Sequence, residues 1–143
     1  MTLFLVLDLL LGGDLRYHIS KRRKFSEQVT KFFVACLLHA LEAVHSAGII
    51  HRDIKPENLV FDNSGYLRLT DFGVACTVKP ENSAETSGTP GYMAPEVMMR
   101  KNHDIVADYF AVGVISYECM LGKRPYVGKT RREIRDQIIS KQA

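Results

Sequence analysis

No unbroken apolar run of the sequence approaches the length of about 20 residues that spans a bilayer. Its longest such run, Leu3–Leu11, is interrupted by Asp8 and has neither a basic segment before it nor a small-residue cleavage site after it. We therefore predict no membrane span and no signal peptide.

Cysteine and net charge are also scarce. The three cysteines, Cys36, Cys76 and Cys119, are widely spaced without metal-ligand spacing, which favours a reduced, intracellular setting. The net charge of +3 is too small to favour nucleic acid as a partner, and the basic runs Lys21–Lys24 and Lys129–Arg135 are typical of a solvated surface.

What remains is an ordinary globular composition, 46% hydrophobic and 24% charged over 143 residues, which suits a single domain with its own core. We find no internal repeat and no linker. Apolar residues at a spacing of three and four predict a long helix opened by Ser26 and ended by Gly48. Its apolar stripe is Val29, Phe32, Phe33, Cys36, Leu37, Ala40, Leu41 and Val44.

Shorter elements are predicted on both sides of that helix. The predicted strands are a buried one at Leu3–Leu7 and a hairpin that joins Leu59–Phe61 to Tyr66–Thr70 through Asp62–Gly65. The predicted helices are Leu15–Ile19 capped by Asp14, one capped by Asp108 that ends at Leu121, and a last one whose capping box is Thr130 and Glu133. The fold class predicted is α+β and predominantly helical.

The segment Ile50–Asn58 concentrates the residues that carry chemistry. It reads Ile-His-Arg-Asp-Ile-Lys-Pro-Glu-Asn between two apolar runs. A carboxylate (Asp53) and an amide (Asn58) are the groups that a phosphoryl-transfer site needs to orient a hydroxyl and to hold a metal ion. Taken alone, Asp53 could also be a capping residue in a structural turn.

Two further motifs follow in a fixed order. Asp71-Phe72-Gly73 stands at the exit of the predicted hairpin, and Gly88–Glu96 ends in Ala-Pro-Glu after a polar segment without periodicity. Each tripeptide is common by itself, but the order and spacing resemble the catalytic half of a eukaryotic protein kinase of the Ser/Thr type. The resemblance covers essentially all 143 residues, with Ile54 where leucine is usual.

The resemblance implies roles for individual residues. Asp53 would orient or accept the substrate hydroxyl proton, Lys55 would steady the transferred phosphoryl group, and Thr89 would contact both. Asn58 and Asp71 would bind Mg²⁺ on the phosphates of ATP. The implied fold is a kinase C-terminal lobe with a small β-hairpin.

The same resemblance makes Leu3–Gly13 the hinge that binds the adenine. Backbone groups of Asp8 and Leu10 would bond to the base, with Leu7 as gatekeeper and Val60 below it. The implied division of residues 1–143 is a hinge strand at 1–13 and a C-terminal lobe at 14–143, truncated after a helix at 130–141, with the N-terminal lobe absent.

The segment Leu-Gly-Gly-Asp-Leu at Leu11–Leu15 is similar to the AGC group and especially to its YANK-like branch. In that group three acidic positions receive substrate arginines, and Asp14, Glu57 and Glu118 match them. The implied partner is a protein with a serine or threonine and basic residues upstream. The alternative is that the three carboxylates simply face solvent.

Regulation is implied in the activation loop. Arg52 resembles the arginine that pairs with a loop phosphate, and Glu85 stands where the AGC group places its phosphorylated threonine. We expect Glu85 to replace that phosphate in part, with Thr86, Ser87 and Ser83 as candidate phosphorylation sites. Asp108 resembles a buried aspartate that holds the catalytic-loop backbone, with a surface helix cap as its alternative.

The sequence contains no Gly-rich loop and no Val-Ala-Ile-Lys strand, which a kinase needs for turnover. We therefore expect residues 1–143 alone to be inactive. The alternatives are a non-catalytic kinase-like binding or decoy module and a kinase-like enzyme that phosphorylates antibiotics. The latter class should lack a substrate-docking segment such as Gly88–Glu96.

Overall fold

The computed structural model of the protein describes residues 4–82 and 86–141. Five helices and two small antiparallel sheets make up the described part. In chain order the elements are α1 (Leu15–Arg22), α2 (Glu27–Ser46), β1 (Ile49–Ile50), a 3₁₀ turn (Pro56–Asn58), β2 (Leu59–Phe61), β3 (Leu67–Leu69), β4 (Cys76–Thr77), α3 (Pro95–Met98), α4 (Val106–Leu121) and α5 (Arg131–Ser140). The predicted α+β, helix-rich fold is confirmed.

Three helices begin at the caps predicted from sequence. The Asp14 carboxylate accepts the Tyr17 N–H at 2.7 Å, and the Ser26 hydroxyl accepts the Val29 N–H at 3.4 Å. At α5 the Thr130 hydroxyl accepts the Glu133 N–H at 3.2 Å. Each cap satisfies a backbone donor that the helix cannot pair internally, which is why local sequence places these starts well.

The fourth predicted cap, Asp108, is wrong. Helix α4 begins earlier, at Val106, and Asp108 lies buried in its first turn. Asp104 serves the helix start instead, because its carboxylate accepts the Val106 N–H at 2.8 Å and its carbonyl accepts the Ala107 N–H at 3.2 Å. This leaves the Asp108 carboxylate available for the interior.

Helix α2 forms as predicted, but its buried side is narrower than the apolar stripe. The buried residues are Thr30, Phe33, Leu37 and Leu41, whereas Val29 and Phe32 are exposed. Among the described residues, only the side of α2 that packs against α4, β1 and β3 is buried. The helix is also long and apolar enough to cross a membrane, by length and composition alone. Because its buried line packs against three other elements, we interpret it as a core helix.

The predicted hairpin is confirmed with slightly shorter strands. Strands β2 and β3 pair antiparallel with Leu59 opposite Leu69 and Phe61 opposite Leu67. The Asp62 carboxylate accepts the N–H groups of Ser64 and Tyr66 and so closes the turn. Strands β1 and β4 form the second pair.

The predicted buried strand Leu3–Leu7 is wrong over its described residues; Leu3 lies outside them. Residues 4–10 form no strand, and the side chains of Phe4, Leu5, Val6 and Leu7 are 75% to 98% exposed. No other described strand runs beside this segment, and a lone strand leaves its backbone groups and apolar faces without partners. Residues 4–13, the described part of the predicted hinge, therefore form no strand.

The chain joins the rest of the structure at Gly12, whose N–H donates to the Phe61 carbonyl at 3.0 Å. From there α1 buries Leu15 and Ile19 in the main core, between the hairpin, α2 and α4. A second cluster joins α3, the start of α4 and α5. Ile54 of the segment 51–58 belongs to the main core, which anchors the candidate site.

The close approach at Gly12 yields a stability prediction. A Cβ there would lie 2.5 Å from Phe61 Cβ and 2.7 Å from its carbonyl oxygen, so Gly12→Ala should lower the free energy of unfolding by about 1–3 kcal/mol. Gly113→Ala is the matched control: nothing lies near its Cβ position in α4, and helix propensity should raise stability by about 0.5–1 kcal/mol. Urea unfolding measures both. Equal effects of the two substitutions would contradict the packing.

Candidate functional site

The segment His51–Asn58 is fixed first through its backbone. Asp108 reaches it from α4: its Oδ2 accepts the His51 N–H and its Oδ1 accepts the Arg52 N–H, both at 2.9 Å. His45 of α2 donates a third hydrogen bond to Asp108 Oδ2 at 2.8 Å. Of the two roles predicted for Asp108, the structure has the buried one, with 1% of the residue exposed.

Asp53 is the centre of a hydrogen-bonded group. Its Oδ2 lies 2.7 Å from Lys55 Nζ, and its Oδ1 accepts the Thr89 hydroxyl at 2.7 Å. Lys55 Nζ also reaches Thr89 Oγ1 at 3.2 Å. The Asn58 side-chain amide donates to the Asp53 carbonyl at 2.9 Å and to Oδ2 at 3.3 Å. The structure thus brings together all four residues predicted to be catalytic.

This group determines the charge of Asp53. Burial alone would raise the pKa of its carboxyl, but the hydrogen bonds and charge of Lys55 and the hydrogen bonds of Thr89 outweigh burial and lower the pKa below its usual value. Asp53 is therefore ionised at neutral pH, with both oxygens oriented by donors. An oriented carboxylate can accept a proton from a hydroxyl that approaches it.

The lowered pKa predicts a pH dependence. A carboxyl whose pKa is lower in the folded state stabilises the fold above its unfolded pKa of about 4 and loses that contribution as pH falls. The difference in unfolding free energy between wild type and Asp53→Asn should be constant from neutral pH down to about 5 and shrink below about 4. Urea unfolding across this range measures it, and a difference unchanged down to pH 2.5 would contradict the assignment.

The hairpin brings Asp71 next to Asn58. The Thr70 N–H donates to the Asn58 carbonyl at 2.9 Å, so the residue after Thr70 leaves the sheet beside the 3₁₀ turn. Asp71 has a φ of +64° and accepts the Gly73 N–H at 3.1 Å, and its side chain is exposed.

His51 ties the two loops together. Its Nε2 donates to the Thr70 carbonyl at 3.0 Å, and its ring meets the Phe72 ring edge-on at 4.9 Å between centroids. Asp71 is therefore held near the segment 51–58 by contacts on both sides of it in sequence.

Asn58 and Asp71 are suitable ligands for Mg²⁺. The Asn58 amide nitrogen is spent on Asp53, and no hydrogen bond among the described residues uses its Oδ1. Carboxylate and amide oxygens suit this hard cation, which takes most of its remaining ligands from water and phosphate. No cluster of three or more His, Cys, Asp or Glu side chains fit for a metal occurs in residues 4–82 and 86–141.

The three residues predicted to hold the adenine are not joined by any hydrogen bond among the described residues, unlike the four predicted catalytic residues. Asp8 is exposed and Leu10 is half-buried in the segment that forms no strand. Val60 is half-buried in β2 and pairs through a single backbone bridge with Asp14. The assignment of these three residues to nucleotide binding stays a prediction.

The three acidic residues predicted to receive substrate arginines differ in their surroundings. Asp14 caps α1 and makes no ion pair within the described residues. Glu57 and Glu118, in contrast, are both paired with Arg16 of α1: Nε lies 2.9 Å from Glu57 Oε1, and Nη1 lies 2.7 Å from Glu118 Oε1. The alternative of three carboxylates facing solvent is wrong for Glu118, which is 4% exposed.

Tyr92 completes this cluster. Its hydroxyl donates to Glu118 Oε2 at 2.5 Å and also contacts Arg16 Nη2. Burial lowers the pKa of Arg16, but the bonds from Glu118 and Glu57 outweigh it and raise the pKa further; burial and Glu118 also raise the pKa of Tyr92. Arg16 is therefore charged, and the Tyr92 hydroxyl keeps its proton, at any working pH.

Two of the predicted regulatory residues, Arg52 and Thr86, lie in the described part of the chain. Arg52 has a φ of +69°, and its Nε donates to the Val74 carbonyl at 2.6 Å. Thr86 is half-buried, and Glu85 and Ser83 lie outside the described residues. The proposed contact between Glu85 and Arg52 stays a prediction.

Sequence reasoning did not single out Arg16, Tyr92 or His45 as site residues. Arg16 is 41 residues from Glu57 and 102 from Glu118, and His45 is 63 from Asp108. No local pattern connects such distant partners. The one available signal was that Arg16 is a basic residue two positions after Asp14, which is itself one of the three predicted substrate-binding acids.

Comparison with known proteins agrees with this geometry. The family described as protein kinase domain matches residues 1–143. A protein named as a probable serine/threonine-protein kinase of Dictyostelium discoideum is 41% identical over 99% of this chain and 31% of its own length. Ribosomal protein S6 kinase alpha-3 of Homo sapiens is 44% identical over 96% of this chain and 19% of its own length. Serine/threonine-protein kinase sgk-1 of Caenorhabditis elegans is 42% identical, over 96% and 30%.

These relatives confirm the predicted resemblance to serine/threonine kinases of the AGC type. The nearer likeness to the YANK-like branch stays a prediction. The chain spans 19% to 31% of the length of these three relatives.

Proposed function

The chain belongs to the protein kinase family, and from this premise we propose that the complete protein transfers the γ-phosphoryl group of ATP to serine or threonine hydroxyls of other proteins. The observation that carries the proposal is the ionised Asp53 carboxylate held between Lys55 and Thr89 at 2.7 Å on each side. A base fixed in this way is what phosphoryl transfer to a hydroxyl requires, because catalysis there is largely positioning and charge.

In the proposed step Asp53 accepts or orients the proton of the substrate hydroxyl. The hydroxyl oxygen bonds to the γ-phosphorus of ATP, and the bond from that phosphorus to the β,γ-bridging oxygen breaks, so that ADP leaves. Lys55, which already touches both Asp53 and Thr89, places a positive charge beside the transferred group. Asn58 and Asp71 would supply oxygen ligands for Mg²⁺, and the bound ion would neutralise phosphate charge. The backbone at Asp8 and Leu10, with Val60, is proposed to hold the adenine.

The substrate is proposed to carry one basic residue upstream of its serine or threonine, received by Asp14. Among the three predicted acids, Asp14 makes no ion pair within the described residues and so can accept a substrate cation. We also propose an intracellular location, and regulation through Arg52, Glu85 and Thr86.

The proposed function is tested by incubating the purified complete protein with Mg²⁺, ATP and a serine peptide carrying one upstream arginine. Incorporation of the γ-phosphate into the serine, and none into a matched alanine peptide, is the expected result. Failure to phosphorylate any serine or threonine in a peptide library would overturn the proposal.

The polypeptide of residues 1–143 alone is proposed to bind ATP weakly and to transfer no phosphate. Its sequence contains neither a Gly-rich loop nor the Lys-bearing strand that turnover requires. The same assay is run on this polypeptide and on the complete protein. Transfer by the complete protein alone identifies residues 1–143 as part of an enzyme, whereas transfer by neither favours a non-catalytic binding module. Activity of residues 1–143 by themselves would contradict this statement.

A further inference from the structure

The cluster around Arg16 is built like a receptor for one guanidinium group. The two terminal nitrogens of Arg16 face Glu118 in a fork, Nη1 to Oε1 at 2.7 Å and Nη2 to Oε2 at 3.2 Å. Its Nε points the other way, to Glu57 Oε1 at 2.9 Å. Two carboxylates on different edges supply three oxygens, and the Tyr92 hydroxyl is a fourth. Together they satisfy the planar donors of a guanidinium and match no other common cation as well.

The position of this cluster connects it to the reaction. Glu57 is in the 3₁₀ turn directly before Asn58, and α1 packs on that turn. The Arg16 side chain is 31% exposed and that of Glu57 is 43% exposed, so the guanidinium lies at the surface beside the proposed catalytic segment. A protein substrate that presents its hydroxyl to Asp53 would pass within reach of it.

The buried member of the cluster explains why Arg16 stays in place. Glu118 is 4% exposed, and a buried carboxylate needs a cation or several donors. Arg16 is anchored by its neighbour Leu15, which is fully buried, so its side chain starts from a fixed backbone. The internal arginine is therefore supplied at no cost in association entropy, an advantage over an arginine from another molecule.

We propose that Arg16 is a built-in occupant of a guanidinium subsite made by Glu57, Glu118 and Tyr92, and that it sets substrate specificity by filling that subsite. This rests on the proposed function. Substrates then need no basic residue at the position that faces the subsite. Three free acids would imply a preference for several basic substrate residues. With Glu57 and Glu118 occupied by Arg16, only the basic residue received by Asp14 remains preferred.

Removal of the Arg16 side chain should open the subsite to a guanidinium from a substrate. The probes are acetylated, amidated serine peptides in which one upstream position carries arginine or its uncharged analogue citrulline, tested position by position. Binding to residues 1–143 is followed by chemical-shift titration, which requires no turnover. Arg16→Ala should bind the arginine peptide more tightly than the citrulline peptide at one peptide position where wild type binds both equally. At that position the variant should prefer arginine by about tenfold in Kd.

Further variants serve as controls for this binding test. Arg22→Ala removes an exposed arginine from the same helix and should gain no position. Arg16→Lys leaves a cation beside Glu118 but cannot span both carboxylates, so it should show a smaller gain even if Arg16→Ala fails to fold. Adding Glu57→Ala to either Arg16 variant should abolish the gain.

The outcomes are separable from those of the phosphorylation assay. A wild type that already prefers arginine at the same position as Arg16→Ala, or Arg16 variants without any new arginine preference, would overturn the subsite. Absence of phosphoryl transfer by the complete protein would overturn the proposed function and leave this binding comparison intact.

Discussion

Replacement of Asp53 with asparagine is expected to lower kcat for peptide phosphorylation by the complete protein by about 10²–10⁴-fold. The amide keeps the size of the side chain and can still accept the Thr89 hydroxyl that now reaches Oδ1 at 2.7 Å. It cannot take up the proton of the substrate hydroxyl, and it has no charge to pair with Lys55. The loss should therefore fall on kcat, with the KM for ATP little changed, as for a group used mainly in the transition state.

The measurement is steady-state phosphorylation of one serine peptide by both forms at saturating ATP. Asp136→Asn is the control, because this aspartate lies on α5, is 56% exposed and is remote from the segment 51–58 in sequence. It should leave kcat unchanged. An Asp53→Asn enzyme with more than about a tenth of wild-type kcat would remove Asp53 from the proposed role.

Asp108→Asn should have the largest effect on stability. Three donors converge on this carboxylate: the backbone N–H groups of His51 and Arg52, and His45 Nε2. An asparagine offers one accepting oxygen and turns an N–H₂ group toward the remaining donor. Since each buried donor left unpaired costs about 1–3 kcal/mol, we expect the free energy of unfolding to fall by about 3 kcal/mol.

Urea unfolding of the two forms tests this value, with Asp104→Asn as the matched control. Asp104 belongs to the same helix start but is exposed, so its substitution should cost no more than about 1 kcal/mol. Hydrogen exchange should also show faster exchange of the His51 and Arg52 amides in Asp108→Asn. Stability within about 0.5 kcal/mol of wild type would mean that Asp108 does not hold the loop.

Local chemistry predicted the elements that need no distant partner. Asp14, Ser26 and Thr130 cap their helices through residues three positions away, and Asp62 closes the hairpin turn through Ser64 and Tyr66. The predicted strand at Leu3–Leu7 failed for the opposite reason. Its apolar composition favours a strand, but a strand exists only beside another, and none of the described residues supplies one.

The candidate site follows the same division. The order of Asp53, Lys55, Asn58 and Thr89 was enough to predict that they meet, because the resemblance to a kinase carries their three-dimensional arrangement with it. Arg16 lay beyond such reasoning, since its partners are 41 and 102 residues away and its role comes from α1 packing against the 3₁₀ turn. Two of the predicted substrate acids already hold an arginine of the chain itself, a contact that only the folded chain creates.

The central claim is that Asp53, Asn58 and Asp71 share one metal–nucleotide site. It is tested most directly by adding Mn²⁺ and a non-hydrolysable ATP analogue to ¹⁵N-labelled residues 1–143, because the paramagnetic ion broadens nearby signals even when binding is weak. The amide signals of these three residues should broaden first, before those of Gly65 at the hairpin turn, and Asp71→Asn should reduce the effect. Broadening centred on another part of the chain, with these three signals unaffected, would contradict the account.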